Sequence, residues 1–268
     1  MSWDCHAHLF GPYDTFPLAG ERSYTPPEAT AAMYLALLQK LGLDHGVLVQ
    51  PSAYGADHSL LLQALASHPA LRGVIVVRQA APPPLLWPTL RQHGVRAARF
   101  SQRSGTGTNF AGSASFDELL HLAPTLADAG LNAELWTDCA ALPLMAPRIE
   151  TLPMPLVIDH MGGFDVRAGI DAPGFRCLLR LLERGKVWVK LCAYRNLLAS
   201  ESQDAGAPFH HALLQANADQ LVWGSDWPHL RVQPQPSTAG LLALVQGWTA
   251  DAGALQRILS TNPQRLYA

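Results

Sequence analysis

His6 and His8 stand two residues apart in a short apolar run near the start of the chain. In a strand that spacing sends both imidazoles to one side. Paired imidazoles can hold a metal ion or hydrogen-bond to a developing negative charge. Asp226 closes another apolar run, Val222-Trp-Gly-Ser-Asp226, where a carboxylate is suited to taking a proton from water or to capping a helix. His160 follows the run at 156–158 in Asp159-His160-Met-Gly-Gly. Arg99, Arg103 and Arg195 stand at or just beyond the ends of other runs, as do Gln50, Ser52 and Trp136. A guanidinium binds carboxylates by charge-assisted, often bidentate hydrogen bonds worth about 1.5–3 kcal/mol each. Each residue also has a plainer reading: a surface strand for His-x-His, a helix cap for Asp226, an ion-pair partner for Arg99, a core residue for Trp136. Lys190, inside Val-Trp-Val-Lys-Leu, reads as a buried structural cation, a site residue or a Schiff-base lysine. What favours chemistry is joint position, since charges gathered at one end of apolar strands are costly to bury without a use.

Something must bring these residues together, and the runs themselves supply it. Eight are rich in β-branched or aromatic residues: 3–10, 46–51, 73–78, 95–100, 133–137, 156–160, 187–191 and 221–226. Several are continuously apolar, as parallel strands covered on both faces are. Helix punctuation falls between them. Thr25-Pro-Pro-Glu28 reads as a helix start whose helix stops at Gly42, Ser115-Phe-Asp-Glu118 as a capping box for a helix ending at Gly130, and Pro173 to Arg184 closes at Gly185. Eight strands alternating with helices predict a TIM (β/α)8 barrel formed as one domain by residues 1–268, in which every strand delivers its C-terminal end to one rim. The rival is a doubly wound open sheet. It would be favoured by a glycine-rich phosphate loop after an early strand, and Gly105-Thr-Gly107 lacks the remaining spacing.

Of 268 residues, 49% are hydrophobic and 15% charged, with 19 basic against 21 acidic side chains and a net charge of -2. Disorder is excluded, and no broad charge attracts nucleic acid or anionic lipid. The start lacks a secretory pattern and no run of about 18 apolar residues occurs, so a soluble, cytoplasmic protein with small-molecule partners is expected. The composition leaves the oligomeric state open. Cys5, Cys139, Cys177 and Cys192 form no C-x-x-C pair; reduced thiols are expected, with Cys5 a buried filler. His45, His58, His68, His93 and His121 are expected to be exposed, His210-His211 to lie in a first helical turn, and Trp87 and Trp248 to pack.

Asp-Cys-His-Ala-His-Leu-Phe-Gly-Pro, Val-Ile-Asp-His-Met-Gly-Gly, Leu-Val-Trp-Gly-Ser-Asp-Trp-Pro-His and the terminal Asn262-Pro-Gln-Arg-Leu-Tyr span nearly the whole chain. Together they resemble the amidohydrolase superfamily, in particular its branch of pyrone dicarboxylate and sugar-acid lactonases. The resemblance implies that His6, His8, His160 and Asp226 are catalytic, with Asp226 handling the proton of the attacking water. It implies substrate contacts from Ser52, Arg99, Arg103 and Arg195, with Tyr24 beside them, and Trp136 standing where the branch has a tyrosine. The expected reaction is hydrolysis of a carboxylated lactone, the three arginines implying a di-acid and the histidines polarising the carbonyl.

Many superfamily members bind zinc through His-x-His and Asp, completed from the fourth or fifth strand. Here those strands offer Arg99 and Trp136, neither a ligand, so a binuclear centre is not expected. One divalent ion, zinc above others, held by His6, His8 and Asp226 is the alternative to no cofactor. A pyrone's enolate leaving group lessens the need for a Lewis acid. Competing functions are a metal-dependent decarboxylase of an aromatic or unsaturated acid, a Schiff-base aldolase using Lys190, and a barrel that binds carboxylated ligands without turnover.

Overall fold

Alternation along each strand decides what lies inside and what faces outward. In a computed structural model, described over residues 1–78, 83, 85–104, 109–200 and 202–268, the strands are β1 (Trp3–Ala7), β2 (His45–Val49), β3 (Leu71–Val76), β4 (Val95–Gln102), β5 (Asn132–Thr137), β6 (Leu156–Ile158), β7 (Val187–Leu191) and β8 (Leu221–Trp223). Gly105 and Gly107 lie outside the described residues. All the strands pair in parallel and in chain order. Backbone hydrogen bonds from Asp226 to His6 and from His8 to Trp227, both 2.8 Å, draw the last strand to the first. The result is a TIM (β/α)8 barrel, and the open-sheet rival is set aside. Gly224 permits the seam: a Cβ there would stand 2.6 Å from His6 Cβ.

A helix follows each strand in turn: Ala31–Leu41, Ser59–Ser67, Trp87–Gln92, Phe116–Asp128, Leu142–Ile149, Pro173–Glu183, Ala207–Asn217 and Thr238–Trp248. In β7, Val187, Val189 and Leu191 pack against this helical layer. Trp188 instead joins Trp3, Cys5, Val47, Val49, Val74, Ala97, Val157 and Val222 in a second cluster. Its members come from strands all around the ring, so it fills the interior, with Leu266 and Tyr267 of the terminal helix Asn262–Tyr267 packed into it. Strict alternation from Trp3 and Cys5 would turn His6 and His8 outward. A register shift between Asp4 and Ala7 re-aims them, the usual service of a bulge beside a site. Asp4 fastens that irregular stretch, accepting from Ser225 N (2.8 Å), Ser225 Oγ (2.6 Å), His6 N and Tyr34 OH (both 3.1 Å).

Sequence punctuation was read correctly at Ser115, where the reciprocal capping box forms, and at Gly42, which ends its helix in the left-handed conformation. It misplaced the first helix. The chain begins to coil at Ala31 with Thr30 as cap, and Glu28 turns back to accept from Tyr13 N at 2.8 Å. His58 is not exposed: it is buried against Val76 O at 2.8 Å. His93 and His121 are exposed, while His45 and His68 are half-buried. All four cysteines are buried and free, and burial pushes the Cys5 thiol well up. No described helix is long and apolar enough to cross a membrane.

His210 is buried in the helix Ala207–Asn217 and bonded to Thr249 Oγ1 at 2.8 Å. Burial, with a smaller push from His211, lowers its imidazole to about 4. The unfolded chain takes up that proton near the ordinary value of about 6.5, so stability is lost as pH falls from there toward 4. A His210→Gln protein should therefore lose about 2 kcal/mol less than the parent between pH 7 and 5, measured from urea unfolding midpoints.

Candidate active site

Four side chains meet at the C-terminal rim. From β1 come His6 and His8, with Nε2 atoms 3.3 Å apart; from the turn after β6 comes His160; from the segment after β8 comes Asp226. Asp226 Oδ1 lies 3.3 Å from His8 Nε2, 3.8 Å from His6 Nε2 and 3.9 Å from His160 Nε2. His160 and Asp226 both adopt left-handed backbone, with φ of 50° and 57°, and so do His229 and Arg231 farther along the last loop. Such conformations cost of order 1–3 kcal/mol in a non-glycine residue and persist where surrounding contacts over-determine them. Those contacts are present. His160 O accepts from Asn196 Nδ2 at 3.0 Å, and Gly163, where a Cβ would meet Thr137 O at 2.9 Å, lets the turn lie against β5. Asp226 Oδ2 accepts from Tyr194 OH at 2.7 Å and from Arg195 Nε, while Arg195 Nη1 reaches Leu230 O at 3.1 Å.

Burial would push the Asp226 carboxyl up. The Arg195 charge, helped by His160, His8 and His6, outweighs it and holds the group well below the usual carboxylate range. Burial works the other way on two of the histidines: it takes His160 down to about 4, and His6 well below its ordinary value with help from Lys190. An ionised carboxylate thus faces the uncharged imidazoles of His6 and His160 at neutral pH.

Beneath His6 lies a second polar layer. Lys190 Nζ is fully buried, 2.5 Å from Glu134 Oε2, 3.3 Å from Asp159 Oδ1 and 3.2 Å from His6 Nδ1. Asp159 Oδ2 accepts from Arg99 Nε (3.1 Å) and is ion-paired with Arg99 Nη2 at 3.0 Å, and Glu134 Oε1 accepts from Tyr267 OH (2.7 Å). Of the three readings of Lys190, the buried cation is the one its contacts match. Sequence reasoning placed Asp159 and Tyr194 at the strand ends without giving them a role, and it missed Glu134. Glu134 stood two residues before Trp136 on the same strand, so the period of two already gave it an inward direction.

A cavity of about 350 Å³ opens above these layers. His8, His160, Asp226, Tyr24, Ser52, Arg99, Arg103, Trp136 and Arg195 all line it, so every sequence candidate except the deeper His6 borders this space. Trp136 stacks on Phe110 with centroids 5.0 Å apart, Arg103 lies over its ring at 4.8 Å, and Arg103 Nε is 3.7 Å from Asp138. A fourth guanidinium, Arg231, also lines the cavity and sits 5.1 Å over Phe110. Gln50, expected at the rim, lines the cavity too and also ties the neighbouring loop, donating to Gly55 O and Asp57 O and accepting from Val76 N.

The upper cluster fits one divalent ion by spacing. Ligand atoms about 2.0–2.1 Å from a tetrahedral ion stand roughly 3.3 Å apart. His8 Nδ1 donates to Val49 O at 2.7 Å, which leaves a lone pair on Nε2 of the neutral ring, and His160 Nε2 is buried without a hydrogen-bond partner. His6, His8, His160 and Asp226 would hold such an ion. The lower cluster of His6, Glu134 and Asp159 surrounds the Lys190 ammonium instead. Reading strands four and five as offering only Arg99 and Trp136 overlooked this carboxylate, whose partner is a cation of the chain itself.

Comparison with known proteins adds a frame to this geometry. A family model described as amidohydrolase matches residues 3–268. A 4-sulfomuconolactone hydrolase of Rhizobium radiobacter is 34% identical over 99% of this chain and 89% of its own length. A 2-pyrone-4,6-dicarboxylate hydrolase of Comamonas testosteroni is 31% identical over 98% and 89%. A solved Pseudomonas putida structure, provisionally assigned as a 2-pyrone-4,6-dicarboxylic acid hydrolase, superposes with a TM-score of 0.81 at 31% identity, covering 99% of this chain and 97% of that one.

Proposed function

The chain belongs to the amidohydrolase family, and we propose that it hydrolyses a lactone bearing two anionic groups, of the pyrone dicarboxylate or sulfomuconolactone kind. The observation that carries this reading is one cavity with an ionised carboxylate and imidazoles at its floor and Arg99, Arg103, Arg195 and Arg231 around it. The guanidinium groups bind the carboxylates or sulfonate and set the ring over Asp226. Asp226 takes a proton from water as it attacks the lactone carbonyl and returns it to the leaving ring oxygen. His160 directs its Nε2–H at the carbonyl oxygen, where such a donor is worth about 3 kcal/mol to the tetrahedral intermediate, while His6, beneath the cavity, holds its Nε2 beside His8 and Asp226. His8 departs from the sequence expectation of three donors. Its Nδ1 is engaged by Val49 O, so its Nε2 stays beside Asp226 Oδ1 and His6 Nε2.

No metal is required in this reading, because ring opening releases an enolate far more stable than an alkoxide. Were an ion bound by His6, His8, His160 and Asp226, it would supply Lewis-acid polarisation of the carbonyl. Chelator-treated enzyme is offered dicarboxylate, sulfonate and sugar-acid lactones, with ring opening followed by absorbance and pH-stat. The doubly anionic lactones should open at full rate without added metal. Turnover that appears only with zinc or manganese, accompanied by carbon dioxide release from an unsaturated acid, would replace the lactonase with a decarboxylase.

A further inference from the structure

The histidine cluster admits two self-consistent hydrogen-bonding states, and one buried side chain chooses between them. Lys190 Nζ stands 3.2 Å from His6 Nδ1. An ammonium has three hydrogens and no lone pair, so in that contact it donates and Nδ1 accepts. A neutral His6 then carries its proton on Nε2. From there the bonds run one way: His6 Nε2–H toward His8 Nε2 at 3.3 Å, and His8 Nδ1–H to Val49 O at 2.7 Å. Every donor has an acceptor.

The other tautomer sends a His6 Nδ1 proton to Asp159 Oδ1, 3.4 Å away. His6 Nε2 and His8 Nε2 would then meet lone pair to lone pair at 3.3 Å. A metal ion or a further proton between them would relieve that arrangement. It is the metal-ligating state. Asp159 Oδ1 has no hydrogen-bond partner and is held by the Lys190 charge at 3.3 Å, so the acceptor that the metal state needs is present but passed over. Lys190 cannot readily turn away, being fully buried with Glu134 at 2.5 Å, itself anchored by Tyr267 OH at 2.7 Å.

We propose that Lys190 is the positioning residue that fixes His6 as an Nε2–H donor and so makes the histidine cluster a hydrogen-bonding site in preference to a metal site. It is fully buried, does not line the cavity, and acts through His6. The tautomer claim stands on the hydrogen-bond geometry alone; only its kinetic consequence rests on the lactonase reading.

Nitrogen-15 NMR of histidine-labelled enzyme, with the His6 signals identified by their loss in His6→Gln, reads the tautomer directly. Wild-type His6 should carry its proton on Nε2, and a proton on Nδ1 overturns the proposal. Removing the cation together with one of its counter-charges, Lys190→Met with Glu134→Gln, should move the His6 proton to Nδ1. Calorimetric titration of the same protein with zinc chloride should show affinity raised by about 10–100-fold, the scale on which outer partners tune a metal ligand. Unchanged zinc affinity in a folded double variant also overturns it. If that variant does not fold, the wild-type spectrum decides. The double variant's kcat for the lactone should fall about 10–100-fold with KM nearly unchanged, because the His6–His8 hydrogen bond beside Asp226 is lost. Wild-type enzyme that opens no lactone defeats the lactonase reading and leaves the tautomer measurement standing.

Discussion

Asp226→Asn should lower kcat by about 10²–10⁴-fold, the usual worth of a general base, while the dissociation constant for a non-hydrolysed diacid analogue changes little. The amide keeps the carboxylate's shape, and the backbone bond from Asp226 N to His6 O, which helps close the ring, is untouched. What is lost is the lone-pair basicity of Oδ1, the atom that faces all three imidazoles. Because Arg195 keeps this group ionised far into acid, the parent enzyme's kcat should show no acid limb from Asp226 above pH 5. Stopped-flow turnover with analogue binding measured in parallel separates the two effects. Near-normal turnover by the asparagine protein would remove Asp226 from the mechanism.

Arg99→Met should be damaging on two fronts. Read from sequence, Arg99 was a substrate anchor; in the structure two of its nitrogens also clasp Asp159, a fully buried carboxylate. Loss of a charge-assisted contact to substrate should raise KM about 10–100-fold, corresponding to about 1.5–3 kcal/mol. Asp159 would then rely on Lys190 alone, so the thermal midpoint should fall as well. Arg103→Met is the control. Arg103 packs on Trp136 near the rim, with Asp138 at 3.7 Å, and its loss should raise KM with little change in the midpoint. Steady-state kinetics and thermal unfolding on the two proteins test the contrast. Equal stability losses would mean that Arg99 does not hold Asp159 in place.

Much of this site was readable before any coordinates. The strand runs were long enough in β-branched residues to be found, and a parallel ring gathers their ends, so residues as distant as His6 and Asp226 could be placed in one pocket by topology alone. Two kinds of information were hidden. The bulge in β1 left no local signature; it is required because Trp3 and Cys5 face the interior and His6 and His8 must do so too. The pairing of Glu134, Asp159 and Lys190 joins three strands, and each residue taken singly reads as an isolated charge in an apolar run. The helix start was misread at Thr25 for the opposite reason. The local pattern was good, but Glu28 found a better use bonding Tyr13 N across the loop.

The proposed lactonase function requires the arginine-lined cavity to bind two negative charges on one cyclic ester. The direct measurement is kcat/KM for a di-anionic lactone against the same lactone with one acid group masked as its methyl ester, using chelator-treated wild-type enzyme. Loss of a charge-assisted anion contact should lower kcat/KM by about 10–150-fold for the masked compound. Equal rates for the two, or no opening of either, would contradict it.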